Sequence, residues 1–276
     1  MQTSQKLKDT LIKIKKDNYN ICEKLDIDKL IVDMLEYIGS VDFELRDNLI
    51  YSTFYSFTQK NILTVNQMKN ILKVCLDEEH LFFNIGEKNT DSVFTRSFSV
   101  LTIPLALLMN SNSGFLEKTD IIHIKGKVAD YIKKEKDFRG FVVGKGWAHS
   151  VAHAADALKY LAENEFILHD DLKEILGIIK FMISNEKLVY NYGEDTRTAK
   201  VFLSVLKRKL LSDKEIIDWL YSLNFPHFSE TVTYPDIIHL KENQKGFLQS
   251  VYFYLLKKNE KMIVNKIFEI LEVKYT

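Results

Sequence analysis

The residues whose types could do chemistry concentrate between Phe138 and Glu163, where the chain reads FRGFVVGKGWAHSVAHAADALKYLAE. Read as one helix from Gly146 onward, at about 100° per residue, the segment sorts into two sides. Trp147, Val151, Ala155, Leu158, Leu161 and Ala162 fall on an apolar side; His149, His153, Asp156, Tyr160 and Glu163 form a narrow polar stripe opposite. The i, i+4, i+7 spacing puts two imidazoles and a carboxylate on neighbouring turns. Three chemistries fit. In the first, His149 and His153 simply hydrogen-bond to adjacent helices. In the second, Gly140, Gly144 and Gly146 open a loop whose backbone N–H groups, with Arg139 and Lys145, hold an anion at a helix N-terminus. In the third, His149, His153 and Asp156 ligate a metal; no glutamate of the HExxH kind stands between the histidines, and this reading is not favoured. Histidine titrates near neutrality, so either functional reading makes the site pH-sensitive.

Other polar residues recur at matching places. Glu194 and Arg197 join the candidate site, because the face of Arg197 continues into Ser204 and Arg208 and is expected to look into a groove. Arg46 and Arg96 lie on faces that continue into apolar residues. They are expected to pair with Asp47, Asp91 or Asp195 of an adjacent unit, since a partly buried guanidinium demands a partner. Trp219 and Tyr252 are expected in the core. Cys22 and Cys75 read as free thiols, with no CxxC spacing and no activated Ser or Cys nucleophile.

The elements that would position these residues form a repeat. DFELRDNLIYSTF from Asp42, DSVFTRSFSVLTI from Asp91, GWAHSVAHAADAL from Gly146, GEDTRTAKVFLSVL from Gly193 and NQKGFLQSVYFYLL from Asn243 share one outline. Their marker residues Arg46, Arg96, His149, Arg197 and Phe247 are spaced 50, 53, 48 and 50 apart. Each opener precedes a second helical segment, with N-caps expected at Thr64, Thr119, His169-Asp170 and Ser212. A period near fifty in a helical chain implies paired helices, slightly longer than the about 40–47 residues usual for HEAT and armadillo units. The expected fold is all-α: an α-solenoid of HEAT/armadillo-like helical hairpins with about twelve helices. It forms a single domain, in units of roughly 1–40, 41–90, 91–137, 138–190, 191–241 and 242–276. Residues 224–239, NFPHFSETVTYPDIIH, break the period and read as a long loop, which carries His227 and His239.

Composition supports this frame. Only 10 Gly and 3 Pro occur in 276 residues, too few turn formers for a sheet-rich fold. Lys plus Arg equals Asp plus Glu, 38 each, which disfavours a nucleic-acid partner, because phosphate neutralisation calls for a basic excess. The N-terminus has no signal-peptide pattern. The apolar run Val100–Met109 contains Pro104 and is too short to span a bilayer, so no membrane partner and a cytoplasmic location are expected.

DFELRDNLIY (42–51), DSVFTRSFS (91–99), DFRGFVVGKGWAHSVAHAADAL (137–158), EDTR (194–197) and NQKGFLQSVYF (243–253) together resemble the bacterial Domain of Unknown Function 2785 family, the GKGWAHSVAHAAD block most specifically. The resemblance implies a helical-repeat fold and no established activity. The leading expectation is a binding protein whose groove, centred on His149, His153 and Asp156, takes a small anionic ligand or an acidic peptide. No cofactor is required by the sequence. The alternatives are a metal- or His-assisted hydrolase, with His149 or His153 as base and Asp156 as orienter; a base-modifying enzyme on the same scaffold; and a structural protein-interaction adaptor.

Overall fold

The computed structural model describes residues 3–21, 25–223, 234–258 and 260–275. Among them the architecture is all-α, with one two-stranded hairpin. The helices are α1 (Ser4–Lys16), α2 (Ile27–Glu36), a π-helical segment (Glu44–Tyr51) running into α3 (Ser52–Gln59), α4 (Val65–Cys75), α5 (Ser92–Val100), α6 (Ile103–Ser113), α7 (Lys118–Lys134), α8 (Ser150–Glu163), α9 (His169–Ile183), α10 (Glu194–Arg208), α11 (Asp213–Ser222), α12 (Asp236–Leu256) and α13 (Lys261–Tyr275). Counting the π segment with α3, and Ser92–Ser113 as one, gives twelve helices. The strands are β1 (Phe141–Val142) and β2 (Gly146–Trp147).

The chain divides into two compact units, Met1–Ala157 and Leu158–Thr276. In the first, α1 packs on the π segment, α2 on α4, and both α3 and α4 on α6. In the second, α10 packs on α12, α11 on α13, α12 on α13, and α9 on both α10 and α12.

Local chemistry sets the boundaries. Thr64 and Ser212 cap α4 and α11 as full capping boxes with Gln67 and Glu215, which satisfies amide groups that a helix start otherwise leaves bare. Two expected caps move. The cap of α7 is Glu117, two residues before Thr119, where Asp120 accepts from the Glu117 amide at 2.9 Å. The cap of α9 is Leu168, whose amide donates to Asp171 at 3.0 Å, so His169 and Asp170 already lie inside the helix. The apolar run around Pro104 belongs to Ser92–Ser113, a stretch long and apolar enough to cross a membrane by composition, but 83% of that window is buried inside the protein. The ring of Pro104 falls in the first turn of α6, where its missing N–H costs nothing.

Two further expectations change. The helix foreseen from Gly146 starts only at Ser150, because the residues before it form the hairpin and the backbone of His149 is left-handed, φ 50°. The helix foreseen from Asn243 starts at Asp236, so 236–239 is helical rather than looped and His239 Nδ1 donates to the Glu186 carbonyl at 2.9 Å. Residues 224–233 of the expected loop, with His227, lie outside the described residues, as does Cys22. Cys75 is buried, and burial pushes its thiol up to about 12, far from nucleophilic.

The register of α12 gives Asn243 a structural task. Its Oδ1 accepts from the Tyr190 amide at 2.7 Å, and its Nδ2 donates to the Asn185 and Leu188 carbonyls, both at 2.9 Å. One buried amide thus satisfies three backbone groups of the 185–190 connection. Asn243→Ala strands those groups, each an unmet buried polar atom costing about 1–3 kcal/mol. Urea unfolding of the variant is expected to show a clear loss of stability, and an unchanged midpoint would mean the connection finds other partners.

Candidate functional site

In the first unit the hairpin is built around Arg46. The guanidinium is fully buried and lies 4.1 Å from the ring centre of Phe94 and 4.8 Å from that of Phe98. Nη1 donates to the Ser40 carbonyl at 2.5 Å; Nη2 donates to the Lys145 carbonyl at 2.7 Å and the Trp147 carbonyl at 3.3 Å. The arginine therefore pins β2 to the π segment. Gly146, at φ 79°, permits this approach: a Cβ there would stand 2.6 Å from Phe43 Cβ and 3.1 Å from Arg46 Nη2. The ion-pair partner is the adjacent Asp47, 2.8 Å from Nε, rather than a residue of another unit. Neither of those two atoms has an aligned hydrogen bond, so their attraction is Coulombic.

Asp47 is the perturbed group. Burial pushes its carboxyl from 3.8 up to about 6, against the opposing pull of Arg46, the Trp147 amide and His149. Beside it runs a stack of rings. Phe141 meets Trp147 edge-on at 4.9 Å, and Trp147 lies parallel to His149 at 4.3 Å. His149 sits 5.6 Å from His153, and His153 meets Phe98 edge-on at 5.1 Å. The sequence brings His149 and His153 together as expected, but not on one helix face. Trp147, expected on the apolar side of that helix, lies on β2 and is 37% exposed. His153 Nδ1 donates to the Ser97 carbonyl at 3.0 Å, which fixes one edge of that ring.

The loop expected to hold an anion is satisfied internally. Lys145 Nζ contacts both carboxylate oxygens of Asp91 at 2.7 Å. Arg139 is bidentate to Asp137, at 2.8 and 2.6 Å, and also donates to the Thr90 carbonyl. The amides of Lys145, Ala148 and His149 donate to Val142, Gly140 and Arg139 carbonyls. Among the described residues no group of three His, Cys, Asp or Glu side chains is placed to hold a metal ion. Arg96 is also fully buried, but its partner is Glu135, bidentate at 2.7 and 2.9 Å, not one of the aspartates expected.

The remaining site residues belong to the second unit. Glu194 is buried and accepts from the Tyr192 amide at 2.8 Å; Arg197 is half-buried. Tyr160 lies under the Lys159 ammonium, 4.2 Å from it. Trp219 stacks on Phe202 at 5.1 Å and donates to the Leu176 carbonyl. Arg208 does not reach outward: it donates to the Ala162 and Asn164 carbonyls.

This unit also holds a cavity of about 660 Å³, which the sequence reading missed. Leu203, Leu206, Tyr254, Leu255 and Ile263 line it, with Ser204. Around them stand five lysines, Lys159, Lys200, Lys207, Lys209 and Lys258, against two glutamates, Glu163 and Glu260. Lys159 pairs with Glu163 at 3.4 Å and Lys209 with Glu260 at 3.5 Å. Lys200, Lys207 and Lys258 have no carboxylate partner among the described residues. The available signal was the seven-residue spacing of Lys200 and Lys207 on the face that carries Ser204.

Asp47 gives this region a measurable pH dependence. Its folded pKa, about 6, lies above its ordinary 3.8, so the folded chain holds this proton more tightly than the unfolded chain does. The contribution favours folding below about pH 4 and is lost as pH rises through 6. Urea unfolding across that window should show wild type losing stability relative to Asp47→Asn as pH rises. A difference between the two that does not change with pH would place the carboxyl pKa at its ordinary value.

The family model described as protein of unknown function (DUF2785) matches residues 81–253. No curated protein and no solved structure matches the chain.

Proposed function

The chain belongs to the DUF2785 family, and we propose that it is a binding protein whose second unit takes an anionic ligand in the cavity between α8, α10 and the α12–α13 turn. The observation that carries this reading is the set of Lys200, Lys207 and Lys258, three ammonium groups with no carboxylate partner among the described residues, around a cavity of about 660 Å³ with apolar wall segments. That volume suits a small molecule, and the lining sets five apolar residues among its lysines, so an anion with an apolar part would meet both. Unneutralised lysines around a concavity raise the local concentration of anions. The first unit supports the same assignment by contrast, because Arg139 and Lys145 already hold Asp137 and Asp91.

The scaffold we propose for this is the HEAT- or armadillo-like stack of helical hairpins. Its support is the pairing within each unit: α10 on α12 with α11 on α13, and α1 on the π segment with α2 on α4. First helices stack on first helices and second on second, as repeat proteins require.

Thermal unfolding with citrate, pyrophosphate, a hexaglutamate peptide and the dicarboxylate sebacate tests the site. A ligand that binds only the folded state raises Tm with its concentration. Wild type is expected to respond to at least one of these anions, less so at high salt, and Lys200→Glu/Lys207→Glu is expected to lose the response. Equal responses from both proteins, or none from wild type, would remove the cavity from consideration.

A further inference from the structure

The order of charges along α10 narrows the ligand. Lys200 and Lys207 stand seven residues apart, two turns of one helix face, which separates their origins by about 10 Å. Between them on that face lies Ser204, whose hydroxyl donates to Glu163 Oε1 at 2.8 Å. Glu163 is held there a second time by Lys159, at 3.4 Å. The cavity therefore presents a positive charge at each end of this face and a fixed carboxylate at its middle, with Leu203 and Leu206 beside it. A compact polyanion centred here would set its charge against Glu163. A ligand with negative ends and an uncharged, apolar middle meets attraction at both ends and no repulsion between.

Resting on the anion-binding reading of this cavity, we infer that it accepts an elongated, two-ended anion: a small molecule with an acidic group at each end of an apolar body. Lys200 and Lys207 each take one end. Glu163 is the selective element, excluding anions whose charge lies in the middle. The separation of the acidic groups is set by the helix, and the apolar walls contribute in proportion to the body they cover.

The probes are linear α,ω-dicarboxylates, from succinate to hexadecanedioate, each beside the monocarboxylate of equal chain length, titrated calorimetrically into the full chain. The expected result is an affinity optimum at intermediate length, where the carboxylates match the lysine separation, with each dicarboxylate there tighter than its monocarboxylate. Lys200→Met and Lys207→Met, both solvent-facing changes, are each expected to cost about tenfold and to bring dicarboxylates to the monocarboxylate level. Glu163→Gln is expected to bind citrate and pyrophosphate more tightly than wild type does, and so to flatten the preference. Affinity that climbs with chain length equally for one- and two-ended acids would overturn the inference, since apolar area alone would explain it. Tighter binding of citrate or pyrophosphate than of any dicarboxylate, still dependent on Lys200 and Lys207, would overturn the two-ended ligand while leaving the anion site standing. No binding of any anion, with the lysine variants silent, would overturn both.

Discussion

A guanidinium that gives up its water must find its hydrogen bonds in protein, and Arg46 does so by tying together pieces of chain that are about a hundred residues apart. Its bonds to the Ser40, Lys145 and Trp147 carbonyls join the start of the π segment to the second strand of the hairpin. Its charge lies over the rings of Phe94 and Phe98, which also ties it to α5. The hairpin brings Trp147 and His149 into parallel contact, and the left-handed turn at His149 lets α8 begin immediately afterwards. Arg96 repeats the device fifty residues on, anchoring the Phe83–Asn84 turn and the end of α7 through Glu135. Arg46 places both Nη groups on fixed carbonyls, and Arg96 uses Nε and both Nη groups on carbonyls, the Ser92 hydroxyl and the Glu135 carboxylate, a fixed planar set that a lysine, with three rotating donors on a flexible stem, would match poorly.

That internal satisfaction separates the two units chemically. In the first, the cations near the hairpin are consumed by Asp47, Asp91 and Asp137, and the unusual features are strain and burial: a π-helical start, a left-handed histidine and a raised carboxyl. Such features often gather at functional sites, but they gather equally where a buried network must be closed without water. In the second unit the lysines around the cavity outnumber the carboxylates, and three have no carboxylate partner among the described residues. An unpaired exposed lysine is commonplace. Three around one concavity with apolar wall segments, with the two glutamates there each held by a lysine, is a more specific arrangement.

The sequence was legible where a local rule and the tertiary packing agree. The helical class, the number of helices and the caps at Thr64 and Ser212 follow from periodicity and capping chemistry that tertiary structure did not override. The reading slipped where glycine and a left-handed residue turned the chain. Gly146-Trp147-Ala148-His149 has the spacing of a helix face, but Arg46, distant in sequence, claims the Lys145 and Trp147 carbonyls and makes a strand of it. It slipped again at Arg46 and Arg96. Burial and a need for partners were inferable from the apolar residues that follow them. Asp47 was among the aspartates named, although it answers its own neighbour rather than an adjacent unit; Glu135 was not, because packing rather than the repeat chooses it.

The missed cavity has the same cause, seen from the side of charge. Thirty-eight basic and thirty-eight acidic residues sum to zero, and that sum argues against a polyanionic partner only if the charges are evenly mixed. They are not: the wall that α10 contributes carries Lys200 and Lys207 on one face, while carboxylates elsewhere are taken up by Arg46, Arg96, Arg139 and Lys145. Because buried cations in the first unit require carboxylates for their own stability, a neutral chain is left with fewer to pair with lysines on its surface. Overall neutrality and a locally positive cavity are therefore compatible, and the former even follows in part from how the first unit is held together.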